Sequence, residues 1–171
     1  CISMSDSTSS ELGFYLKGTT FDILSFKKLQ PGVSGGISAA GTLAGFAGAM
    51  LLAFITGYYY VFSFAIIISI LVAGFAGMMA DSILGSWLQI KYKTLDGNLT
   101  DDEETGAKKA KGLSWCTNDV VNILSNMLIT LLLAVVFVYI VLAAQFDSFI
   151  HPFSIMLALP MSIIGAVLAL I

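Results

Sequence analysis

The chain has 171 residues, of which 57% are hydrophobic and 11% charged, with a formal net charge of −3 and a mean hydropathy of +0.91. A charged share about half the usual one argues against a soluble domain, and it excludes a disordered chain, a basic nucleic-acid binder and a disulfide-stapled secreted module. What remains is an all-α fold, a polytopic membrane helical bundle of about four transmembrane helices with no nucleic-acid partner.

The chain opens on a polar stretch, Ser5-Asp6-Ser7-Thr8-Ser9-Ser10-Glu11, with no signal peptide visible. It begins with Cys1 rather than Met and is read as a fragment or a processed product; a lipid-modified Cys1 is the alternative. Asp6 and Glu11 are candidate functional carboxylates, although Thr8 and Glu11 also have the spacing of a capping box. Next comes Gln30-Pro31-Gly32-Val33-Ser34-Gly35-Gly36-Ile37-Ser38, with Lys27 and Lys28 just upstream. A glycine-rich entry to a helix presents free N–H groups to an anion, so Lys28, Gly32, Gly35, Gly36 and Ser38 are candidate phosphate-binding residues.

No charged residue occurs between Lys28 and Asp81. As one helix this stretch would run ~78 Å, against a hydrocarbon core of ~30 Å, so it must fold back. The spacing predicts helices at about 37–57 and 60–89, with Gly57-Tyr58-Tyr59-Tyr60 as the turn. Ala44-Gly45-Phe46-Ala47-Gly48 recurs as Ala73-Gly74-Phe75-Ala76-Gly77. Such small residues favour close helix–helix packing or oligomerisation.

Asp81, Gly85 and Gln89 share one helix face, with Ser82 and Ser86 beside it. They either line a polar cleft or, for Asp81, mark the water interface; ionisable groups this deep are functional candidates by default. Residues 90–119 form a polar loop with an acidic run, Asp101 to Glu104, followed by Lys108, Lys109 and Lys111. It reads as a solvated hairpin or a flexible loop.

A second uncharged run predicts a helix at about 120–143. Asn118, Asn122, Ser125 and Asn126 fall on one of its faces. Asn118 or Asp119 could cap it. Asp81 and Asp119 together would hold a Mg²⁺ that shares substrate phosphates. A loop with Asp147, Ser148, His151 and Pro152 leads to a fourth helix from about Phe153, kinked at Pro160.

All eight basic side chains are lysines, and all lie in segments 1–36 and 90–119. Two helices separate these segments, so both lie on one side, which the positive-inside rule makes cytoplasmic. Without arginine, phosphate recognition falls to Lys or to backbone N–H groups.

Four ordered motifs carry a family resemblance: Asp6 to Gly13, Gly32 to Ser38, Asp81 to Gln89, and Trp115 to Asn122. Over residues 1–130 the chain resembles the domain-of-unknown-function-92 family, which includes phytyl-phosphate kinases. Val33-Ser34 stands where the family usually has Thr-Asn. The resemblance implies an N-terminally truncated membrane kinase domain that transfers phosphate from a nucleotide, CTP, to an isoprenyl (phytyl or farnesyl) monophosphate. In that reading Asp81 and Asp119 hold Mg²⁺. Gly32, Gly35, Gly36, Ser38 and Lys28 cradle phosphate. Asn118, Asn122 and Gln89 orient the substrate, and Asp6 and Glu11 are further catalytic candidates. Residues 131–171 instead resemble a helix hairpin of resistance-nodulation-division efflux pumps, where the loop before Pro152 would be cytoplasmic, whereas the lysine pattern puts it outside. That conflict implies a chimera joined in the third helix. The alternatives are a transporter fragment with an ion held by Asp81 and Asp119, or an inactive chimera.

Overall fold

A computed structural model describes residues 1–16, 18–103 and 107–169; Glu104 of the acidic run lies outside the described residues. The order is α1 (Ile2–Tyr15), β1 (Thr20–Asp22), β2 (Lys28–Leu29), β3 (Gly36–Ile37), α2 (Ala39–Tyr60), α3 (Phe64–Trp87), β4 (Lys91–Lys93), β5 (Leu99–Thr100), β6 (Lys108–Lys111), α4 (Asn118–Phe146) and α5 (Ile150–Ala169). Helices α2, α3, α4 and α5 are long and apolar enough to cross a membrane. The protein is therefore a polytopic integral membrane protein, as expected. It is not all-α. Two small antiparallel sheets of three strands, ordered β2-β1-β3 and β5-β4-β6, occupy the segments read as loops. The chain divides into two compact units, residues 1–129 and 130–171.

In the first unit, α2 and α3 form a hairpin. The turn falls later than predicted. Helix α2 runs through Gly57 and the three tyrosines, and the chain reverses at Val61, whose φ of +52° is left-handed. Gly57 is instead buried, where an added Cβ would meet Ile67 at 2.5 Å. The Asp96-Gly97 turn forms as expected, with Gly97 at φ +84° and its N–H donating to the Thr94 carbonyl.

Helix α1 was not legible as a helix. Its residues are mostly small and polar, and it forms because the α2–α3 hairpin offers a glycine-lined groove. A Cβ at Gly41 would stand 2.9 Å from the Ser9 carbonyl, and one at Gly48 would stand 2.6 Å from Thr8 Oγ1. On α3, Gly74 faces Cys1 and Gly77 faces Ile2. The repeated Ala-Gly-Phe-Ala-Gly thus supplies both walls of one groove, and its two phenylalanines, Phe46 and Phe75, meet edge to face at 5.8 Å. The fully buried Ser5 hydroxyl donates to the Gly45 carbonyl at 2.8 Å. Thr8 lies inside α1, where its hydroxyl donates to the Met4 carbonyl at 2.6 Å. The capping box with Glu11 therefore does not form. The Cys1 thiol reaches the Ala49 carbonyl, half-way along α2. A polar element at such depth is tolerated where protein surrounds it or where it lines a cavity.

In the second unit, α5 begins at Ile150, three residues earlier than expected. His151 and Pro152 are therefore first-turn residues of a helix rather than loop residues, and Pro160 lies in the helix interior. The Tyr139 hydroxyl donates to the Phe149 carbonyl at 3.0 Å.

Candidate functional site

The end of the α2–α3 hairpin that carries both sheets holds a cavity of about 640 Å³. Every one of the four sequence motifs reaches it. Helix α1 contributes Asp6, Ser7, Ser9, Ser10, Glu11 and Gly13; the glycine-rich loop contributes residues 31–36; α3 and its exit contribute Asp81, Ser82, Gln89 and Ile90; the start of α4 contributes Thr117, Asn118 and Asn122. Asp101 and Asp102, from the second sheet's loop, complete the acidic lining.

Ten of the predicted site residues therefore meet in one place: Asp6, Glu11, Gly32, Gly35, Gly36, Ser38, Asp81, Gln89, Asn118 and Asn122. Two do not line it. Lys28 is exposed in β2, and Asp119 is exposed in the first turn of α4, where its charge suits the helix N-terminus. Helix α4 starts at Asn118, so neither Asn118 nor Asp119 is its cap.

The glycine loop is fixed by steric and polar contacts together. Gly35 has φ +77°, and a Cβ there would stand 2.5 Å from the backbone of Ser86 on α3. Only glycine meets both conditions. Ser34 is held at both of its backbone groups: its N–H donates to Asp101 Oδ2 at 2.7 Å, and its carbonyl accepts from Lys91 Nζ. Lys91 is fully buried. Burial, and then Lys111, pushes its ammonium below the usual lysine range, against the pull of Asp101 and Asp22. Asp22 is likewise buried and takes hydroxyl hydrogen bonds of 2.5 Å from both Ser86 and Ser25. Burial pushes the Asp22 carboxyl up, but those hydrogen bonds and Lys111 outweigh it and hold it below its ordinary value.

Sequence reasoning missed Asp22, Lys91 and Asp101 as supports of this loop. Lys91 alternates with the exposed Lys93 along β4, and Asp101 adjoins the exposed Asp102, so no local signal set either apart.

Asp81 is oriented from the neighbouring helix. The buried Ser125 hydroxyl of α4 donates to Asp81 Oδ1 at 2.8 Å. Asn126 Nδ2 donates to the Asn122 carbonyl at 2.6 Å. Asp6 lies near enough to feel the Asp81 charge: burial first, and that charge second, push its carboxyl up to about 6.

The cavity presents five carboxylates, Asp6, Glu11, Asp81, Asp101 and Asp102, and no basic side chain among the described lining residues. It also receives two helix N-termini. One is α2, where Ser38 caps by accepting from the Gly41 N–H at 3.1 Å; the other is α4 at Thr117 and Asn118. An acidic cavity with oxygen donors suits a hard divalent cation. Among the described residues no group of three His, Cys, Asp or Glu side chains forms a complete metal cage.

Residues 1–130 match the family described as integral membrane protein DUF92. The chain belongs to the DUF92 family. An uncharacterized membrane protein of Synechocystis sp. is 31% identical over 125 residues, covering 73% of this chain and 40% of that protein. One from Methanocaldococcus jannaschii is 36% identical over 87 residues, covering 51% of this chain and 36% of that protein. This DUF92 chain thus spans well under half the length of the curated relatives it matches. Residues 112–171 match the AcrB/AcrD/AcrF family, so the two matched ranges overlap at the start of α4. No solved structure matches the chain significantly.

Proposed function

We propose that this DUF92 chain is the phosphotransfer part of a membrane kinase that moves the terminal phosphate of a nucleotide, CTP, to an isoprenyl monophosphate. The observation that carries the reading is the composition of the cavity: five carboxylates, a glycine loop and two helix N-termini at the end of membrane helices. Carboxylates alone would repel a phosphate. Carboxylates that hold a divalent cation, facing N–H-rich helix ends, attract one.

Asp6 and Asp81 are the pair that would hold Mg²⁺, in place of the Asp81–Asp119 pair, because Asp119 lies outside the cavity lining. Bound there, Mg²⁺ would neutralise charge on the transferring phosphate. Ser125 holds Asp81 in its rotamer. The loop at residues 32–36 and the N-termini of α2 and α4 bind and orient phosphate oxygens. Asn118 and Asn122 supply amide donors on the same face of α4. An oxygen of the isoprenyl monophosphate forms the new bond to the terminal phosphorus of CTP. The bond from that phosphorus to its bridging oxygen breaks, and CDP leaves. The products are CDP and the isoprenyl diphosphate. Catalysis in such a site is mostly positioning and charge neutralisation. The lysine-bearing end would face the cytoplasm, where nucleotide is supplied.

The deciding assay is Mg²⁺-dependent transfer of labelled phosphate from CTP to phytyl or farnesyl monophosphate by purified protein in detergent. Labelled diphosphate that disappears in Asp81→Asn is the expected result. No product from a folded protein that binds Mg²⁺ would sink the reading. The second match, over residues 112–171, favours one other reading: a chimera that inserts through a pump-like hairpin and does not catalyse. The same assay separates the two.

A further inference from the structure

Two buried acceptors in this cavity have no donor. Gln89 is 2% exposed, and its Oε1 accepts no hydrogen bond; neither does the buried Oδ1 of Asp101. Both residues line the cavity, and both lie close to the Ser34–Gly35 segment or to Gly85 against which it packs. Asp101 Oδ2 takes the Ser34 N–H, while Gln89 Oε1 and the Ser34 Cβ stand 3.6 and 3.4 Å from the same point above Gly85. Buried acceptors are nearly always paired in native proteins, because an unpaired one keeps the full cost of its lost hydration.

The backbone at Gln89 is held in place. It is clamped on both sides: the Leu113 N–H donates to the Leu88 carbonyl and the Ile90 N–H to the Cys116 carbonyl, each at 2.9 Å. Gly112, at φ +87°, packs directly on the Gln89 carbonyl. Asp101 is likewise fixed through Ser34.

The two proposed substrates differ in what they can offer these oxygens. An ionised phosphate has only acceptors and is repelled. An isoprenyl chain has no polar group. Only the nucleoside half of the phosphate donor carries O–H and N–H groups. We infer that Gln89 and Asp101 form the nucleoside subsite, accepting hydrogen bonds from ribose hydroxyls or the exocyclic amine of the base. This deepens the kinase reading and rests on it. The nucleotide then lies with its sugar and base against Gln89 and Asp101, and its phosphates toward the glycine loop, Asp6 and Asp81. The isoprenyl phosphate approaches from the remaining side.

The test compares equilibrium binding of two probes, Mg·CTP and Mg·tripolyphosphate, which lacks the nucleoside. The proteins are the wild-type 171-residue chain, Gln89→Leu and Asp101→Asn in detergent. Asn at 101 can still accept the Ser34 N–H but presents an NH₂ group where Oδ1 stood. The expected result is that wild type prefers CTP and that each variant binds CTP about tenfold to a hundredfold more weakly. Tripolyphosphate affinity should be unchanged in Gln89→Leu, which leaves every cavity carboxylate in place, and should fall less than CTP affinity in Asp101→Asn. Equal weakening of both probes, or of Mn²⁺ alone, would show a loop or cation role and overturn the inference. Unchanged CTP binding would mean that the two oxygens hold only water, which also overturns it. If wild type binds tripolyphosphate as well as CTP, the subsite is wrong but the phosphate site stands. If it binds neither, the kinase reading itself fails.

Discussion

Ser125 on α4 and Asp81 on α3 are joined by a 2.8 Å hydrogen bond, with the serine fully buried. The serine hydroxyl engages Oδ1 of Asp81, so in the proposed site the other carboxylate oxygen would face the cation. Ser125→Ala should cost about 0.6–1.7 kcal/mol of stability, the range for a hydrogen bond between membrane helices. It should also weaken Mn²⁺ binding while leaving the helices in place. Thermal unfolding and Mn²⁺ titration in detergent check both. Unchanged Mn²⁺ affinity would separate Asp81 from the cation.

Gly35→Ala should be among the most damaging single substitutions. It meets a left-handed φ and the Ser86 backbone at once, so the loop must leave α3. A loss of more than about 2 kcal/mol is expected. Gly165→Ala on α5 is the control, since a Cβ there meets nothing within 4 Å. Comparable losses in the two variants, read by thermal unfolding, would refute the assignment.

Asp22 gives the fold an acid-sensitive latch. Its folded-state pKa lies below the ordinary carboxylate value. The stabilisation is therefore present above about pH 4, the unfolded-state value, and is lost as pH falls through the folded-state pKa. Wild type should lose stability over this acid range more steeply than Asp22→Asn. Parallel melting-temperature profiles from pH 7 to about pH 3 would remove Asp22 from that role.

The α1 groove makes a steric prediction. Gly45→Val places methyl groups against Met78 and against the Ser5 carbonyl, which would stand 2.9 Å from the new Cβ. Helix α1 should lift from the hairpin and carry Asp6 and Glu11 away from Asp81. Mn²⁺ binding should fall at least tenfold while α2 and α3 remain inserted, which protease mapping of the β4–β6 segment can establish. Retained binding would show that α1 is dispensable to the site.

The four membrane helices were legible because uncharged runs of this length have one stable solution in a bilayer. The meeting of the motifs was legible in part, from lysines that place them on one side. Helix α1 was not, because its own residues favour no helix strongly; tertiary contact with Gly41, Gly45 and Gly48 decides it. The sheets were not, because strands of two to four residues leave almost no period to read. Lys28 was chosen for proximity in sequence to the glycine loop, yet the loop is reached instead by Lys91, far along the chain. Contacts made across the fold leave no trace in local spacing.

A fourteen-residue helix made mostly of polar and small residues has too little hydrophobicity to enter a bilayer unaided. The slot that receives α1 exists only after α2 and α3 have paired. Maturation of the cavity is thus a late, post-insertion event, and any chain caught before it is fully embedded yet has no pocket.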